Sequence, residues 1–430
     1  MKINELMIAF QKMEKENNLF DIEYNQTLVW DTIRYNVFQA LQMQYIPVKM
    51  QGLYKRVIKR TISSITQLMF LVRAMKNDDN ILVCKTSRKK NEHCYIDEYS
   101  KYVLEKLSKK RVAEIELYHL AGGLANSRNL FYYSSESKLS VKFLSEILEI
   151  IKINFPSLYE EKTLTAAIQD AYSKYRSERN FYERVFKYTS IERVFLVQNG
   201  LQKGLLHAAK LHGVKVIELQ HGYVGFTHPA YSYPNIASGQ CTYLPKEFWI
   251  FSQFWAREIN MPNTEFKIIG YDFKDFKDTT GKNVLFISRD NHHKVLVDYL
   301  KALVDKTNKK ITYKLHPNQI DELAIIRNEL SQYENVQVVL NEKSIEDCIK
   351  ESSDIVCIQS TVVFEALQSN RKVICIKECD YIESSILEEI RNYYSIDNEE
   401  MLIHIVNEVK ADKYEVKFFD EINIKLVSEL

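Results

Sequence analysis

The sequence predicts an α/β protein with two parallel-sheet domains behind a helical N-terminal region. At 430 residues the chain is too long for one ordinary core and suits two domains of about 150–250 residues each. Its C-terminal half alternates short apolar runs with helix-like segments, which is the pattern of parallel βα units. Those runs are continuously apolar, as expected for strands that are covered by helices on both faces.

Composition and charge narrow the class of protein. Hydrophobic residues make up 46% of the chain and charged residues 27%, as in globular proteins. Lys and Arg number 58 against 57 Asp and Glu, so the chain lacks the basic excess of a dedicated nucleic-acid binder. The seven cysteines form no CxxC pair and several lie in apolar runs, which indicates reduced core residues. The N-terminus has no signal-peptide layout, and no stretch approaches the roughly 18–20 apolar residues of a membrane span. We therefore expect a cytoplasmic protein.

Residues 1–76 are predicted to be mainly helical and to end in a basic amphipathic segment, 49–76. This segment holds seven basic residues and no acidic one, with apolar residues between them at helical spacing. Such a helix fits an anionic membrane surface, here the inner face of the cell membrane. The alternative is a helix packed on the protein with its basic side in water.

Residues 77–275 are predicted to form the first parallel-sheet domain. A long helical stretch, 138–190, carries a group of Tyr and Phe residues that we attribute to packing between helices. Gly213 is expected to close a short helix over 201–213. The strand segments of this domain are 80–87, 111–120, 191–200, 214–222, 247–259 and 266–273.

Residues 276–430 are predicted to form the second domain, after a polar, turn-rich segment at 274–283. Here strands and helices alternate regularly. The strand segments are 283–290, 310–319, 335–342, the first half of 353–367, and 372–378.

Polar residues follow three of these strands, and ligands of open α/β sheets bind beyond the carboxyl ends of strands. In "YKLHPNQ", Pro317 stops the strand and holds His316 at the edge of the sheet. The alternative is a histidine that only caps a loop.

In "IVCIQSTVVFEAL", Ser360 and Thr361 lead from a strand into the helix that contains Glu365. Hydroxyl side chains and the backbone N–H groups at a helix start attract phosphate. Ser360 alone is equally explained as a plain helix cap. Neither a Walker loop nor a GxGxxG is present.

In "VIELQHGYVGFTHPAY", a strand ends at His221, and Gly222 would allow a positive φ or a close ligand approach. His228 follows in an irregular stretch, and Arg289 ends a strand of the other domain. If the domains face each other, these residues line one cleft with His316 and Ser360. The sequence has no HExxH, Cys/His cluster, G-x-S-x-G or convincing D-x-D, so we expect neither a metal nor a cofactor.

"QHG" at a strand end, "KLHP" in the second domain and "ST…FEAL" some forty residues later resemble bacterial glycosyltransferases of surface-polysaccharide assembly with the GT-B fold. The resemblance is to capsule polysaccharide biosynthesis transferases, CDP-glycerol glycerophosphotransferases and bacterial sialyltransferases with HP and Ser-Ser/Thr motifs. It covers about residues 190–370. It implies two Rossmann-like domains facing across a cleft, with an acceptor domain first and a donor domain second.

The resemblance also implies a metal-independent, inverting transfer of a sugar from a nucleotide-activated donor to a glycan or lipid-linked acceptor of capsule or lipopolysaccharide. His316 and Pro317, with Ser360 and Thr361, would hold the donor phosphate. Glu342 or Glu365 would bind the ribose. His221 would face the acceptor, either as a general base, because a neutral imidazole can accept a hydroxyl proton, or as a second phosphate contact.

The sequence departs from these families in part. The acidic-acidic-Gly base motif of the sialyltransferases is absent; Asp97-Glu98-Tyr99 is the nearest match. The donor therefore stays open between a CMP-ulosonic acid and an NDP-sugar. The alternatives are a CDP-glycerol-type alditol-phosphate transferase, a non-catalytic partner of a polysaccharide synthase, and a sugar-nucleotide epimerase.

Overall fold

Two parallel sheets organise the chain, one in each of two compact units. The first unit comprises Met1–Ile269 and Asn423–Leu430, and the second comprises Gly270–Ile422. The structure is a computed structural model. It describes residues 2–42, 53–85, 89–90, 95–97, 99–107, 112–116, 128–129, 137–235, 243–277, 281–288, 293–358, 360–377, 387 and 389–428.

The N-terminal helices share a core of buried apolar residues with two later helices of the first unit. Apolar residues recur every three or four positions in the first helix, which buries one face, whereas the second helix is buried around most of its circumference. Phe10 and Phe38 meet edge to face, with ring centroids 5.1 Å apart. The elements are α1 (Ile3–Glu16), β1 (Glu23–Tyr24), β2 (Thr27–Leu28) and α2 (Trp30–Leu41).

The described part of the first unit contains a seven-stranded parallel sheet. Its elements are α3 (Leu53–Asn77), β3 (Ile81–Lys85), β4 (Lys89–Lys90), β5 (Tyr95–Ile96), α4 (Lys101–Lys106), β6 (Val112–Glu116), β7 (Arg128–Asn129), α5 (Val141–Asn154), α6 (Glu161–Tyr188), β8 (Arg193–Leu196), α7 (Lys203–His212), β9 (Lys215–Leu219), β10 (Glu247–Ile250) and β11 (Glu265–Ile268). The sheet has the order β11-β10-β9-β8-β3-β6-β7, and β4 pairs with β5 separately.

Helices α6 and α7 pack closely because of a glycine. A Cβ atom on Gly204 would lie 2.4 Å from Cβ of Glu178 and 2.5 Å from the carbonyl oxygen of Tyr175. Gly213 ends α7 with φ of 67°, as the sequence predicted. The aromatic group of α6 packs in the core as expected, except that Tyr188 is 50% exposed.

The second unit contains a six-stranded parallel sheet in its described part. Its elements are β12 (Asn283–Ile287), α8 (His293–Val304), β13 (Ile311–Lys314), α9 (Leu323–Leu330), β14 (Val336–Val339), α10 (Ile345–Glu351), β15 (Ser352–Cys357), α11 (Val362–Gln368), β16 (Lys372–Ile376), β17 (Tyr393–Ile396) and α12 (Glu399–Glu408). The order is β14-β13-β12-β15-β16-β17. The predicted α/β class, with one parallel sheet in each half behind a helical N-terminal region, is confirmed.

The last helix, α13 (Ile424–Ser428), belongs to the first unit. Val427 is buried in a cluster with Ile81 and Val103. The backbone N–H of Asn423 donates to the carbonyl oxygen of Ile269 across 2.8 Å. The chain thus leaves the first unit after Ile269 and returns to it at Asn423.

Candidate functional site

The turn that follows β9 is shaped by Gln220, the residue before His221. The Gln220 side chain accepts from the backbone N–H of Phe251 across 2.8 Å and donates to the carbonyl oxygen of Gly222 across 2.9 Å. Its backbone N–H donates to the carbonyl oxygen of Trp249 across 3.0 Å. Gly222 has a φ of +156°. His221 therefore lies in a turn that is held in place by three hydrogen bonds of Gln220.

His221 contacts two tyrosines. Its Nδ1 lies 3.5 Å from the hydroxyl of Tyr231, and its ring meets the ring of Tyr99 edge to face at 6.2 Å. Burial lowers the pKa of His221 to about 4, because desolvation disfavours the charged imidazolium. The side chain is therefore neutral near pH 7.

Tyr231 connects His221 to a buried carboxylate. The Tyr231 hydroxyl donates to Oε1 of Glu218 across 2.7 Å. Glu218, on β9, is fully buried and also accepts from the backbone N–H and the side-chain amide of Asn199, across 3.0 and 2.8 Å. Burial raises the pKa of Glu218, and these three donors oppose the rise. Three donors fit the ionised, acceptor-only carboxylate.

This chain of hydrogen bonds selects the tautomer of His221. The Tyr231 hydroxyl proton points at Glu218, so the Tyr231 oxygen can only accept from His221. With that contact as a hydrogen bond, Nδ1 of His221 would carry the proton and Nε2 would keep its lone pair. The arrangement leaves an imidazole acceptor beyond the carboxyl end of β9.

His228 also packs against Tyr231. Its ring centroid is 4.6 Å from that of Tyr231 and 5.9 Å from that of Tyr35. Its Nδ1 accepts from the backbone N–H of Ala230 across 3.3 Å, which leaves the proton on Nε2. Burial, with a smaller effect of His221, lowers the pKa of His228 to about 3. Nε2 of His221 would thus be a hydrogen-bond acceptor, and Nε2 of His228 a donor.

The N-terminal helices hold the backbone of this segment in place. Arg34, on α2, donates to the carbonyl oxygens of Pro229 and Ser232, the second across 2.8 Å. It also forms a fully buried ion pair with Glu14 of α1, at 2.5 Å. The helical N-terminal region, for which the sequence predicted no part in the site, therefore holds the backbone next to His228.

A second contact to the N-terminal helices secures the end of the segment. Asp31 accepts from the hydroxyl of Tyr233 across 2.8 Å and from the backbone N–H of Tyr243 across 2.6 Å. Lys203 lies 3.3 Å from the same carboxylate. All of these side chains are buried, so Asp31 ties both Tyr233 and Tyr243 to α2.

The predicted residues of the second unit lie beyond the carboxyl ends of its strands. His316 follows β13 and is exposed, and its backbone N–H donates to Oε1 of Gln319 across 3.0 Å. Pro317 begins the 3₁₀ helix Pro317–Glu322, as expected for a residue that cannot continue a strand. The side chain of Pro317 lies outside the described part of the structure.

Ser360 follows β15, which is two strands from β13 in the sheet. Its Oγ accepts from the backbone N–H of Val362 across 3.3 Å, so its hydroxyl proton remains available to a ligand. Thr361 is exposed, and Glu365 on α11 is half-buried. The carboxyl edge of the sheet therefore gathers His316 and Ser360 at strand positions about 10 Å apart.

Glu342 is already engaged. One carboxylate oxygen accepts from the backbone N–H of Leu340 across 2.7 Å, and the other pairs with Arg327. The backbone N–H groups of Leu340 and Glu342, followed by Arg327, lower the pKa of Glu342 to about 2. Arg289, also predicted for this edge, lies outside the described residues.

Several residues of the first unit were missed by the sequence analysis. Glu218 is the acidic member of the apolar run "VIEL", and a charge within a predicted strand is a signal that could have identified it. Lys85 ends β3 in a buried ion pair with Glu114 of β6. Asp97, noted in the sequence only as part of the nearest match to a base motif, accepts from the backbone N–H of Tyr99 across 3.2 Å, and the ring of Tyr99 meets that of His221. Within the described residues, no group of three or more His, Cys, Asp or Glu could hold a metal ion.

No protein-family model matches the sequence, and no curated protein matches it. The fold is similar to that of UDP-GlcNAc 2-epimerase from Methanocaldococcus jannaschii in complex with UDP-GlcNAc and UDP. The two chains are 12% identical, the likeness covers 81% of this chain and 98% of that one, and the TM-score is 0.50. This likeness, with the two parallel sheets, identifies the two-domain, Rossmann-like GT-B fold.

Two further structures are similar with lower TM-scores. MurG from Acinetobacter baumannii is 12% identical, over 76% of this chain and 89% of that chain, with a TM-score of 0.47. The lipopolysaccharide outer core galactosyltransferase WaaB is 12% identical, over 77% and 90%, with a TM-score of 0.43.

Proposed function

We propose that the protein is a metal-independent, inverting glycosyltransferase that moves a sugar from a nucleotide-activated donor to an acceptor hydroxyl of a bacterial surface glycan. One observation carries the proposal: the Tyr231 hydroxyl, which donates to Glu218, lies 3.5 Å from Nδ1 of His221, and in this arrangement Nε2 would accept the proton. The GT-B fold supplies the context, and the strand-end motifs supply the remaining roles.

In the proposed reaction, the acceptor oxygen attacks the anomeric carbon of the donor from the face opposite the nucleotide. The bond between that carbon and the phosphate oxygen breaks, and its electron pair leaves with the nucleotide. The acceptor proton passes to Nε2 of His221. Because a pKa near 4 makes a weak base, the proton transfer must accompany formation of the new carbon–oxygen bond.

The second unit would bind the donor. His316, with the hydroxyls of Ser360 and Thr361, would stabilise the negative charge that develops on the leaving phosphate. Pro317 positions His316 by starting the 3₁₀ helix. Glu365, or Glu342 if its exposed pair with Arg327 opens, would contact the ribose.

The test is nucleotide release with a panel of CMP-, CDP-, UDP- and GDP-linked donors, each with oligosaccharide and lipid-linked acceptors. For the active pair, His221→Ala should lower kcat/KM by about 100- to 10,000-fold. His316→Ala should also lower it. His212→Ala and His404→Ala, which remove exposed histidines from the same two units, are the matched controls. Full activity in both His221→Ala and His316→Ala would refute the assignment.

The same panel separates the alternatives. Turnover of CDP-glycerol or CDP-ribitol alone would identify an alditol-phosphate transferase. Conversion of a sugar nucleotide without an acceptor would identify an epimerase, the activity named for the Methanocaldococcus jannaschii protein. Failure of every nucleotide to raise the thermal midpoint would favour a non-catalytic partner of a polysaccharide synthase.

A further inference from the structure

Helix α3 exposes a stripe of apolar side chains to solvent along its last three helical turns. Five side chains with exposures between 49% and 62% lie along it: Ile65, Leu68, Met69, Val72 and Met75. Steps of three or four residues place them on one face of a helix. A stripe of this length on a well-packed protein marks an interaction surface.

The opposite face of α3 attaches the helix to the first unit. Phe70 and Ala74 are 3% and 1% exposed and belong to a core cluster of that unit. The ring of Phe70 lies 6.1 Å from that of Phe181 on α6. The exposed stripe is therefore the outer side of a docked helix.

The positive charge of α3 indicates what kind of partner this surface binds. The helix carries six basic residues and no acidic one, whereas the whole chain has a net charge of +1, so the remainder carries −5. Arg73 and Lys76 are exposed and stand one turn from Met69 and Val72, beside the stripe. A second copy of the chain would place the same positive helix against itself in a two-fold interface, which is electrostatically unfavourable.

We infer that α3 docks the protein on an anionic lipid bilayer, with the stripe in the acyl boundary and Arg73 and Lys76 at the lipid phosphates. Among the described helices, none is long and apolar enough to cross a bilayer. The inference depends on α3 alone and is independent of the proposed transferase activity.

Co-sedimentation with two kinds of vesicle tests this inference: phosphatidylcholine alone, and phosphatidylcholine with about 30 mol% of the anionic lipid phosphatidylglycerol. We expect binding to the anionic vesicles that weakens as salt is raised. Arg73→Gln/Lys76→Gln should reduce the partition coefficient about 30-fold. Leu68→Gln/Val72→Gln should reduce it at least about 10-fold.

Matched controls come from another exposed helical surface. Val141 and Ile153 of α5 are 81% and 69% exposed, so Val141→Gln/Ile153→Gln removes comparable apolar groups. Lys142→Gln/Lys187→Gln removes two exposed basic groups outside α3. Both controls should bind as the unmodified protein does.

Three results would overturn the inference: no binding to anionic vesicles, equal loss in controls and α3 variants, or equal binding in all of them. Sedimentation velocity adds a fourth. A dimer that Leu68→Gln/Val72→Gln dissociates would show that the stripe is covered by a second copy. Circular dichroism of each variant verifies that it is folded.

Discussion

The hydroxyl of Tyr231 donates to the buried carboxylate of Glu218 across 2.7 Å. The oxygen of the same hydroxyl lies 3.5 Å from Nδ1 of His221. Glu218 on β9 therefore orients, through Tyr231, a histidine that lies three residues further along the chain. Tyr231 touches neither substrate in the proposed mechanism. It acts as a positioning residue for the tautomer of His221.

Tyr231→Phe should lower kcat/KM about tenfold, because one hydrogen bond that selects the His221 tautomer is lost. The aromatic packing against Phe248, at 5.2 Å between ring centroids, is kept. Nitrogen-15 NMR of the histidine rings checks the cause: the Nδ1–H fraction of His221 should fall. Lower activity with an unchanged tautomer ratio would point to a structural effect instead.

The pH dependence of activity should differ from that of an ordinary histidine base. The base form of His221 is the neutral one, and burial lowers its pKa to about 4. We therefore expect kcat/KM to rise with pH up to about 5 and then to stay level toward neutrality. A limb centred near pH 6.5 that persists in His221→Ala would contradict the assignment. Circular dichroism at each pH verifies that the protein remains folded.

Local patterns in the sequence were sufficient for the sheets but not for the site. Continuous apolar runs predicted the strands β9, β13 and β15. Gly213 predicted the end of α7, and Pro317 predicted the end of the strand before it. Each of these signals is local, because it involves residues only a few positions apart. The site depends instead on distant pairs. Arg34 contacts Pro229, and Asp31 contacts Tyr243, across about two hundred residues of chain. Periodicity carries no information about such pairs, nor about the return of α13 to the first unit.

Acid should destabilise the fold through its buried histidines. Burial lowers the pKa of His207 to about 3, so in the folded state this side chain stays neutral while the unfolded chain binds a proton below about pH 6.5. Its contribution to stability is complete above that pH and is lost as the pH falls toward 3, with a slope of up to about 1.4 kcal/mol per pH unit. Urea unfolding between pH 7 and 5 measures this.

His207→Gln should reduce that slope and should also lower stability at pH 7. The variant loses the stacking of the imidazole on Tyr243, at 4.2 Å, and changes the 2.6 Å hydrogen bond with Tyr175. His212→Gln, at an exposed position of the same helix, is the control and should leave the slope unchanged. An unaltered slope in His207→Gln would show that this histidine is not linked to acid unfolding.

The Glu14–Arg34 pair should show strong coupling. Both side chains are fully buried, and Arg34 reaches the two carboxylate oxygens at 2.5 and 3.0 Å. Arg34→Met leaves an uncompensated carboxylate and should cost about 3–5 kcal/mol of unfolding free energy. Glu14→Leu/Arg34→Met should cost less than the sum of the single variants. Additive losses in urea unfolding would mean that the two side chains act independently.

Gly200→Ala should disturb the site through packing. An added Cβ would lie 2.9 Å from Cβ of Ala230 and 2.9 Å from a ring carbon of Tyr35, which borders His228. Overpacking of this kind costs about 1–3 kcal/mol and must displace one of these neighbours. Gly213→Ala is the matched comparison, since nothing lies within 4 Å of its Cβ position and only its positive φ opposes alanine. Urea unfolding should show a lower free energy of unfolding in both variants. Only Gly200→Ala should lower kcat/KM, because the neighbours that it displaces, Ala230 and Tyr35, lie beside His228.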